Sequence, residues 1–143
     1  MHCIIVGLLF SVWGSAAIAG SPLVSQLQPG ERLHVAYQSR GCFHEYKFEI
    51  DLERGPSVTA RSGGRTVTLS ANEVAGLDKL LQFYRSKPRG LCTTQDDISI
   101  SEFRGTQKIS NEHYVDGTCG TDEMKDITRL SEIAKKLGLE LET

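Results

Sequence analysis

The sequence predicts an α+β fold: a four-stranded antiparallel meander, a packed helix, an additional β-hairpin and a C-terminal helix, in the order ββββαββα. Two observations carry this prediction. Short stretches of alternating apolar and polar residues follow one another before Leu69, joined by glycine-containing turns. Such sequence-local hairpins are typical of antiparallel rather than parallel sheets. An amphipathic segment with clear start and stop signals then interrupts the strands, as a helix does.

The N-terminal residues have the features of a secretory signal peptide. The apolar run from Cys3 to Trp13 is too short to span a bilayer, and Ala17 to Ala19 before Gly20 fits a signal-peptidase site. The start is atypical because it carries His2 where a Lys or Arg is usual. We therefore expect a signal peptide over residues 1–19, a flexible leader over 20–30 and a single α+β domain over 31–143.

The charge balance argues against two classes of partner. The sequence contains sixteen basic and eighteen acidic residues, which gives a formal net charge of −2. Positive and negative residues are interspersed along the chain. No basic stripe is present to neutralise phosphates, so we expect no nucleic-acid partner and, after signal cleavage, no membrane contact. Export implies a periplasmic or secreted location. The sequence contains no cofactor motif and leaves the oligomeric state open.

Four strands are predicted between Glu31 and Leu69. Apolar residues alternate with polar ones from Leu33 to Tyr37 and, after a turn near Arg40, again from Tyr46 to Leu52. The charged residues between them indicate that one face of the sheet is exposed to water. A two-residue loop at Gly63-Gly64 and a loop centred on Gly55 predict the register of the later strands. The expected pairs are Ala60 with Val67, Val58 with Leu69, Leu52 with Val58, and Ile50 with Ala60.

The segment from Leu69 to Arg85 is predicted to be a helix that covers the apolar face of the sheet. Ser70 and Glu73 have the spacing of a capping box, Leu69 and Val74 that of a hydrophobic staple, and Pro88 prevents continuation. The apolar residues of this segment recur at helical spacing. They are Val74, Leu77, Leu80, Leu81 and Tyr84.

Residues 91–118 are interpreted as a long hairpin with Gly105-Thr106 as its loop. This register places Ile98 and Ile100 on the inward face, with Ile109, His113 and Val115 as their partners. Residues 121–123 are predicted to open the second helix, because acidic residues favour a helix N-terminus, and Gly138 to end it.

Three cysteines follow the predicted signal: Cys42, Cys92 and Cys119. An oxidising compartment favours a disulfide between two of them. The hairpin register brings Cys92 opposite Cys119, and such a bridge would stabilise the domain by roughly 3 to 4 kcal/mol. Cys42–Cys92 and Cys42–Cys119 remain the alternatives, and one thiol is free in every case.

One enzymatic hypothesis follows from the free thiol. A cysteine-dependent hydrolase would use Cys42 as nucleophile, His44 or His113 as base and Asp116 as orienting group. No recognised cysteine-hydrolase sequence surrounds Cys42. We therefore expect no enzymatic activity, and we expect no metal site, because the histidines lack the spacing of zinc ligands.

The turn residues point instead to recognition. Arg40, Phe43 and His44 follow the first strand, and His113, Tyr114 and Asp116 follow the later hairpin strand. Loops on a rigid sheet often carry binding residues, and Arg and Tyr are common interface anchors. The alternative is that Phe43 and Tyr114 close the ends of the core. We interpret the protein as a small exported binding module for another exported protein, with an inhibitor or immunity-type role and a structural envelope-associated role as further hypotheses.

Overall fold

The described part of the chain forms one six-stranded antiparallel sheet with helices on one face, and this confirms the predicted α+β class. The computed structural model describes residues 20–119, 126–139 and 141. The strands are β1 (Glu31–Arg40), β2 (Glu45–Arg54), β3 (Val58–Ser62), β4 (Arg65–Thr68), β5 (Gln95–Arg104) and β6 (Gln107–Asp116). The helices are α1 (Ala71–Arg85) and α2 (Leu130–Lys136).

The hairpin β5–β6 joins the meander, because β5 pairs with β1. The spatial order is β4-β3-β2-β1-β5-β6, and β1 lies between β2 and β5 along its whole length. Side chains of β1 alternate between the core and the opposite face, with Leu33, Val35 and Tyr37 buried. The face away from the helices carries ion pairs such as Arg32 with Asp51. The expected one-sided sheet is therefore observed.

Helix α1 begins and ends as its sequence signals indicate. Ser70 Oγ accepts a hydrogen bond from Glu73 N, and Glu73 Oε2 accepts one from Ser70 N at 2.8 Å. This reciprocal pair satisfies two backbone donors that a helix start otherwise leaves without partners. The inward face of α1 packs on the sheet through buried residues. They are Gly76, Leu77, Leu80, Leu81 and Tyr84.

Residues 20–30 contribute to the core, in contrast to the flexible leader that we expected. Val24 and Leu27 are buried, and Val24–Gln26 form a short 3-10 turn. Ser25 N donates a hydrogen bond to Asp78 Oδ1 on α1 at 3.1 Å. Two apolar residues three positions apart thus attach this segment to the helix.

The turn between β3 and β4 gives the predicted register, and the turn between β2 and β3 does not. Ala60 lies opposite Val67, and Leu69 N donates to Val58 O at 2.9 Å, as expected for the Gly63-Gly64 loop. In the other hairpin Ala60 pairs with Leu52 instead of Ile50, and Val58 pairs with Arg54. The loop is therefore centred on Pro56 rather than Gly55. A shift of two residues keeps every side chain on its expected face.

A β-bulge changes the inward residues of β6. Near the turn Phe103 lies opposite Lys108, but Glu102 lies opposite Ser110, which leaves Ile109 as an extra residue. Beyond the bulge Ile98 pairs with Tyr114 and Ile100 with Glu112. The expectation that Ile109, His113 and Val115 would be their partners was wrong, because the extra residue exchanges the two faces of β6.

Helix α2 begins at Leu130, later than predicted. Residues 127–129 are not helical, and residues 121–123, where we expected the helix to open, lie outside the described ranges. Ile133 and Ala134 of α2 are buried, and Lys136 forms an ion pair with Glu73 at the start of α1. Together with the lysine, hydrogen bonds from Ser70 hold the pKa of the Glu73 carboxyl below its usual value. The two helices are thus tied to each other at this corner.

Within the described ranges, no helix is long and apolar enough to cross a membrane. The predicted signal peptide over residues 1–19 lies outside those ranges.

Candidate functional site

Three loops meet at one end of the sheet, and we call this region the disulfide end. It consists of residues 41–44 after β1, residues 90–94 before β5 and residues 117–119 after β6. These loops meet because β2, β1, β5 and β6 are successive neighbours in the sheet. A Cβ atom at Gly41 would lie 3.0 Å from Thr94 Oγ1, and Cys92 N donates to Gly117 O at 2.9 Å.

The predicted disulfide is confirmed at this end. Cys92 and Cys119 are bonded, with their Cα atoms 5.7 Å apart, and Cys42 is free and exposed. The two cysteine segments approach closely, since a Cβ at Gly90 would lie 2.2 Å from Gly117 O. Only glycine at position 90 permits this backbone contact. The bridge and the contact together fix the loops before β5 and after β6.

Large apolar side chains are exposed at the disulfide end. Phe43 is 95% exposed, Leu91 is fully exposed and Val115 is 44% exposed. In the described part of the chain one further large apolar residue is exposed, and that is Ile109 at the bulge, near the opposite end of β6. Phe43 and Leu91 therefore lie on the loops of this end, and Val115 lies on β6 just before the third loop.

The turn at residues 41–44 directs some of its side chains toward the helix-covered face and others into solvent. Gly41 N donates to His44 O at 2.9 Å and closes the turn. The His44 ring stacks on Tyr46, and its Nε2 lies 3.1 Å from Ser39 Oγ. Arg40, opposite Glu45 in the strand pairing, and Phe43 are exposed. His44 thus belongs to the covered side of the sheet, while Phe43 extends into solvent.

A polar cavity of about 220 Å³ lies behind these loops, on the helix-covered face. His44, Asp96 and Asp116 line it together with the phenol rings of Tyr37 and Tyr84. Burial and the neighbouring Asp96 raise the pKa of Tyr37, and burial with the charges of Asp96 and Asp116 raises that of Tyr84. Both phenols therefore stay protonated and can donate hydrogen bonds.

Asp116 is buried and accepts a hydrogen bond from Thr118 N at 2.9 Å. This bond shapes the chain just before Cys119. The cavity can accept hydrogen-bond donors through its carboxylates, and Cys42 is not among its lining residues.

His113 and Tyr114 lie on opposite faces of β6. His113 is exposed on the open face, where its Nε2 is 2.8 Å from Asp97 Oδ1. Tyr114 lies on the covered face, stacks on Tyr84 at 6.2 Å between ring centres and donates to Glu112 Oε2 at 2.7 Å. The six residues predicted for binding are therefore divided. Arg40 and Phe43 are exposed at the disulfide end, His44 and Asp116 line the cavity, Tyr114 packs beneath α1, and His113 faces solvent.

The residues of the hydrolase hypothesis are not hydrogen-bonded to one another in the described structure. Cys42 has no hydrogen bond to His44 or His113 there, and the two histidines contact Ser39 and Asp97 instead. The same described residues contain no group of three or more His, Cys, Asp or Glu side chains suited to a metal ion.

Sequence reasoning did not select Leu91, one of the two most exposed apolar residues. Its position offered a signal, because Leu91 stands between Gly90 and Cys92 in a loop, where no strand or helix period requires an apolar side chain. A second omission was the contact of Ser21 with Glu112, which joins residues far apart in the sequence.

No protein-family model matches the chain, and no curated protein and no solved structure is significantly similar to it.

Proposed function

We propose that this protein is an exported binding module that contacts another exported protein through the disulfide end. The exposure of Phe43, Leu91 and Val115 at or beside one end of the sheet supports the proposal most strongly. Each large apolar side chain that a partner removes from water contributes about 1.5 to 3 kcal/mol, and clustered exposed apolar residues mark interaction sites. The disulfide holds the loop that carries Leu91, so less conformational entropy of that loop is lost on binding.

Charged residues beside the apolar group suit the rim of such an interface. Arg40 and Arg89 are both exposed, in or next to the loops that carry Phe43 and Leu91. Arginine is enriched at interfaces because it combines a planar donor group with an apolar stem. We extend the proposal to an inhibitor or immunity-type role, in which Phe43 enters an apolar pocket on a periplasmic or secreted protein.

Affinity capture tests this proposal. The mature chain, residues 20–143, would be immobilised through its C-terminus and exposed to native envelope and secreted fractions under non-reducing conditions. The double variant Phe43→Ala/Leu91→Ala removes the proposed contact, and Ile109→Ala is the matched control because it truncates an exposed apolar side chain elsewhere. We expect one stoichiometric protein partner that the wild type and the control retain and the double variant loses.

Two other results would count against the proposal. A partner retained equally by all three proteins would place the interface away from the disulfide end. Absence of any stoichiometric partner would contradict the binding module itself and would favour the structural envelope-associated role.

The free, exposed thiol of Cys42 supports a second candidate, a cysteine-dependent hydrolase. This candidate requires a histidine to activate the thiol, and alkylation rates test that requirement. A thiol activated by His44 would react with iodoacetamide at about pH 6 and slow down in His44→Ala. If Cys42 is alkylated at the rate of an unactivated thiol, and His44→Ala does not change that rate, the hydrolase candidate is removed.

A further inference from the structure

The structure holds Ser21 tightly, two residues after the predicted signal ends at Ala19. Ser21 N donates to Glu112 Oε1 on β6 at 2.8 Å, and Arg85 Nη2 on α1 donates to Ser21 O at 2.6 Å. The Ser21 hydroxyl contacts the Ser110 hydroxyl, and Ser21 is 3% exposed. Gly20, the residue that cleavage would make the first, therefore begins at a defined position beside β6.

Glu112 is the centre of this arrangement. Its side chain is 15% exposed and receives hydrogen bonds from Arg85 Nε at 3.0 Å and from the Tyr114 hydroxyl at 2.7 Å. Burial alone would raise the pKa of the Glu112 carboxyl, but the bonds from Arg85, Tyr114 and Ser21 N hold it below its usual value. Glu112 is therefore a carboxylate at neutral pH.

The nitrogen of Gly20 can reach this carboxylate. A Cβ atom built on Gly20 would lie 3.4 Å from Glu112 Oε1. The nitrogen and a Cβ are both tetrahedral substituents of the same Cα, so rotation about the Cα–C bond moves the nitrogen to nearly that position. Gly20 is exposed and has no side chain that would obstruct the rotation.

A second carboxylate, that of Glu102, is linked to Ser21 through Ser110. Ser110 donates to Glu102 Oε2, and Arg104 lies 3.7 Å from Glu102 and 2.9 Å from Glu31. The charged groups linked to Ser21 through these contacts are Glu112, which pairs with Arg85, and Glu102, which lies near Arg104. The α-ammonium group would be a second cation beside the Glu112 carboxylate, next to the Arg85 guanidinium.

We propose that Glu112 is the binding site for the protein's own α-ammonium group, which is formed on Gly20 when the chain is cleaved after Ala19. This inference rests on the signal cleavage in the proposed function. In the precursor the Gly20 nitrogen is an uncharged amide. Hydrolysis adds water across the Ala19–Gly20 bond, so that Ala19 leaves with a carboxylate and Gly20 gains an amine, which takes up a proton. Processing therefore creates the ion pair that attaches the new terminus to β6 and α1.

A four-way comparison tests this ion pair. Residues 20–143, which contain every described helix and strand, would be released from a fusion with no extra residue, giving a free Gly20 amine. The same residues would also be prepared with an acetylated N-terminus. Both the free and the acetylated form would be made as the wild type and as Glu112→Gln, which gives four proteins. At about pH 6 we expect the free amine to raise the thermal midpoint by about 2 to 5 °C over the acetylated form, and only with Glu112.

The pH dependence identifies the charge. An ammonium group that gains a carboxylate partner has a raised pKa, so its stabilisation is present below the unfolded value of about 8 and is lost as the pH rises through the folded value. The advantage of the free amine should thus disappear above about pH 10. Glu49→Gln, a substitution at an exposed carboxyl on the open face, is the control that should keep the advantage.

Equal midpoints for the free and acetylated chains, or an advantage that persists in Glu112→Gln, would overturn the proposal. If Glu112→Gln fails to fold, NMR titration of the Gly20 amine in the wild type decides the question. A pKa at or below the unfolded value of about 8 would rule out the ion pair. Mass spectrometry of the native N-terminus tests cleavage separately. A terminus elsewhere refutes the cleavage but leaves the measured pair in residues 20–143 intact.

Discussion

The helix layer and the disulfide end use their side chains in opposite ways. In the helix layer, formed by α1, α2 and residues 20–30, Glu73 pairs with Lys136 and Arg85 pairs with Glu112. At the disulfide end, Phe43 and Leu91 contact solvent, although a covalent bond holds the loop that carries Leu91. Contacts of the first kind join elements of the fold to one another, whereas the exposed side chains of Phe43 and Leu91 do not. Their presence is therefore a reason to look for a partner there.

The largest expected effect on stability comes from the disulfide. Replacing both partners, Cys92→Ser/Cys119→Ser, should lower the free energy of unfolding by about 2 to 5 kcal/mol, because the unfolded chain regains the freedom of the closed loop. Urea unfolding at neutral pH measures this loss. Cys42→Ser is the matched control and should be nearly neutral, since Cys42 is exposed and free. Equal losses in both proteins would show that the bridge does not stabilise this end.

The helix layer should be sensitive to a single methyl group. Gly76→Ala ordinarily stabilises a helix by about 1 kcal/mol. Here the added Cβ would lie 2.1 Å from Thr128 Oγ1 and 2.6 Å from Thr128 N, so the segment before α2 must move. We expect a net loss of about 1 to 3 kcal/mol in the free energy of unfolding, measured by urea titration. Ala75→Gly, at the exposed neighbouring position, should cost about 1 kcal/mol through helix propensity alone. A stabilised Gly76→Ala protein would contradict the close contact.

The pair of Arg85 and Glu112 should make stability depend on pH. Glu112→Gln removes a charged acceptor of several hydrogen bonds and should cost about 1 to 2 kcal/mol at about pH 7. Because the folded pKa of Glu112 is lowered, its stabilisation is present above the unfolded pKa and is lost as the pH falls through the folded one. The difference between wild type and variant should therefore shrink below about pH 4. Thermal unfolding over this range would disprove the charge effect if the difference stayed constant.

The smallest expected effect on stability comes from Phe43 at the disulfide end. Phe43→Ala should change the free energy of unfolding by less than about 0.5 kcal/mol, because Phe43 is almost fully exposed. The same substitution should weaken binding of a captured partner by at least about tenfold. Calorimetric titration measures the second quantity and urea unfolding the first. A large stability loss with unchanged binding would assign Phe43 to the fold instead of the interface.

The parts of the fold that were predicted from the sequence depend on signals a few residues apart. Ser70 and Glu73 determine the N-terminal cap of α1, and the Gly63-Gly64 turn determines the β3–β4 register. The disulfide was also predicted, since its cysteines flank one hairpin. The bulge at Ile109 was not predicted, because Ile109, His113 and Val115 have the two-residue spacing of a regular strand in the sequence. The inward residues of β6 are instead those that meet α1, where Tyr114 contacts Tyr84 and Glu112 contacts Arg85.

In the candidate site, too, the features that depend on nearby residues were predicted and those that depend on long-range contacts were not. The exposed positions of Arg40 and Phe43 followed from the turn after β1, which is a local feature. The inward position of Tyr114 depends on the bulge, and the cavity at Asp116 depends on residues from both helices and several strands. Such long-range assemblies have no short sequence signal. This is why recognition residues on turns could be proposed while the Ser21 contact with Glu112 could not.

The bulge at Ile109 also affects how this molecule meets its neighbours in a concentrated solution. Among the described strands β6 is the last on its side of the sheet, and its backbone would otherwise offer a long row of donors and acceptors to another chain. An extra residue interrupts that row, and exposed Lys108 and His113 place polar groups beside it. Bulges and charged side chains on edge strands oppose edge-to-edge pairing and therefore aggregation. The bulge that changes which residues of β6 point inward thus also opposes growth of the sheet by strand addition.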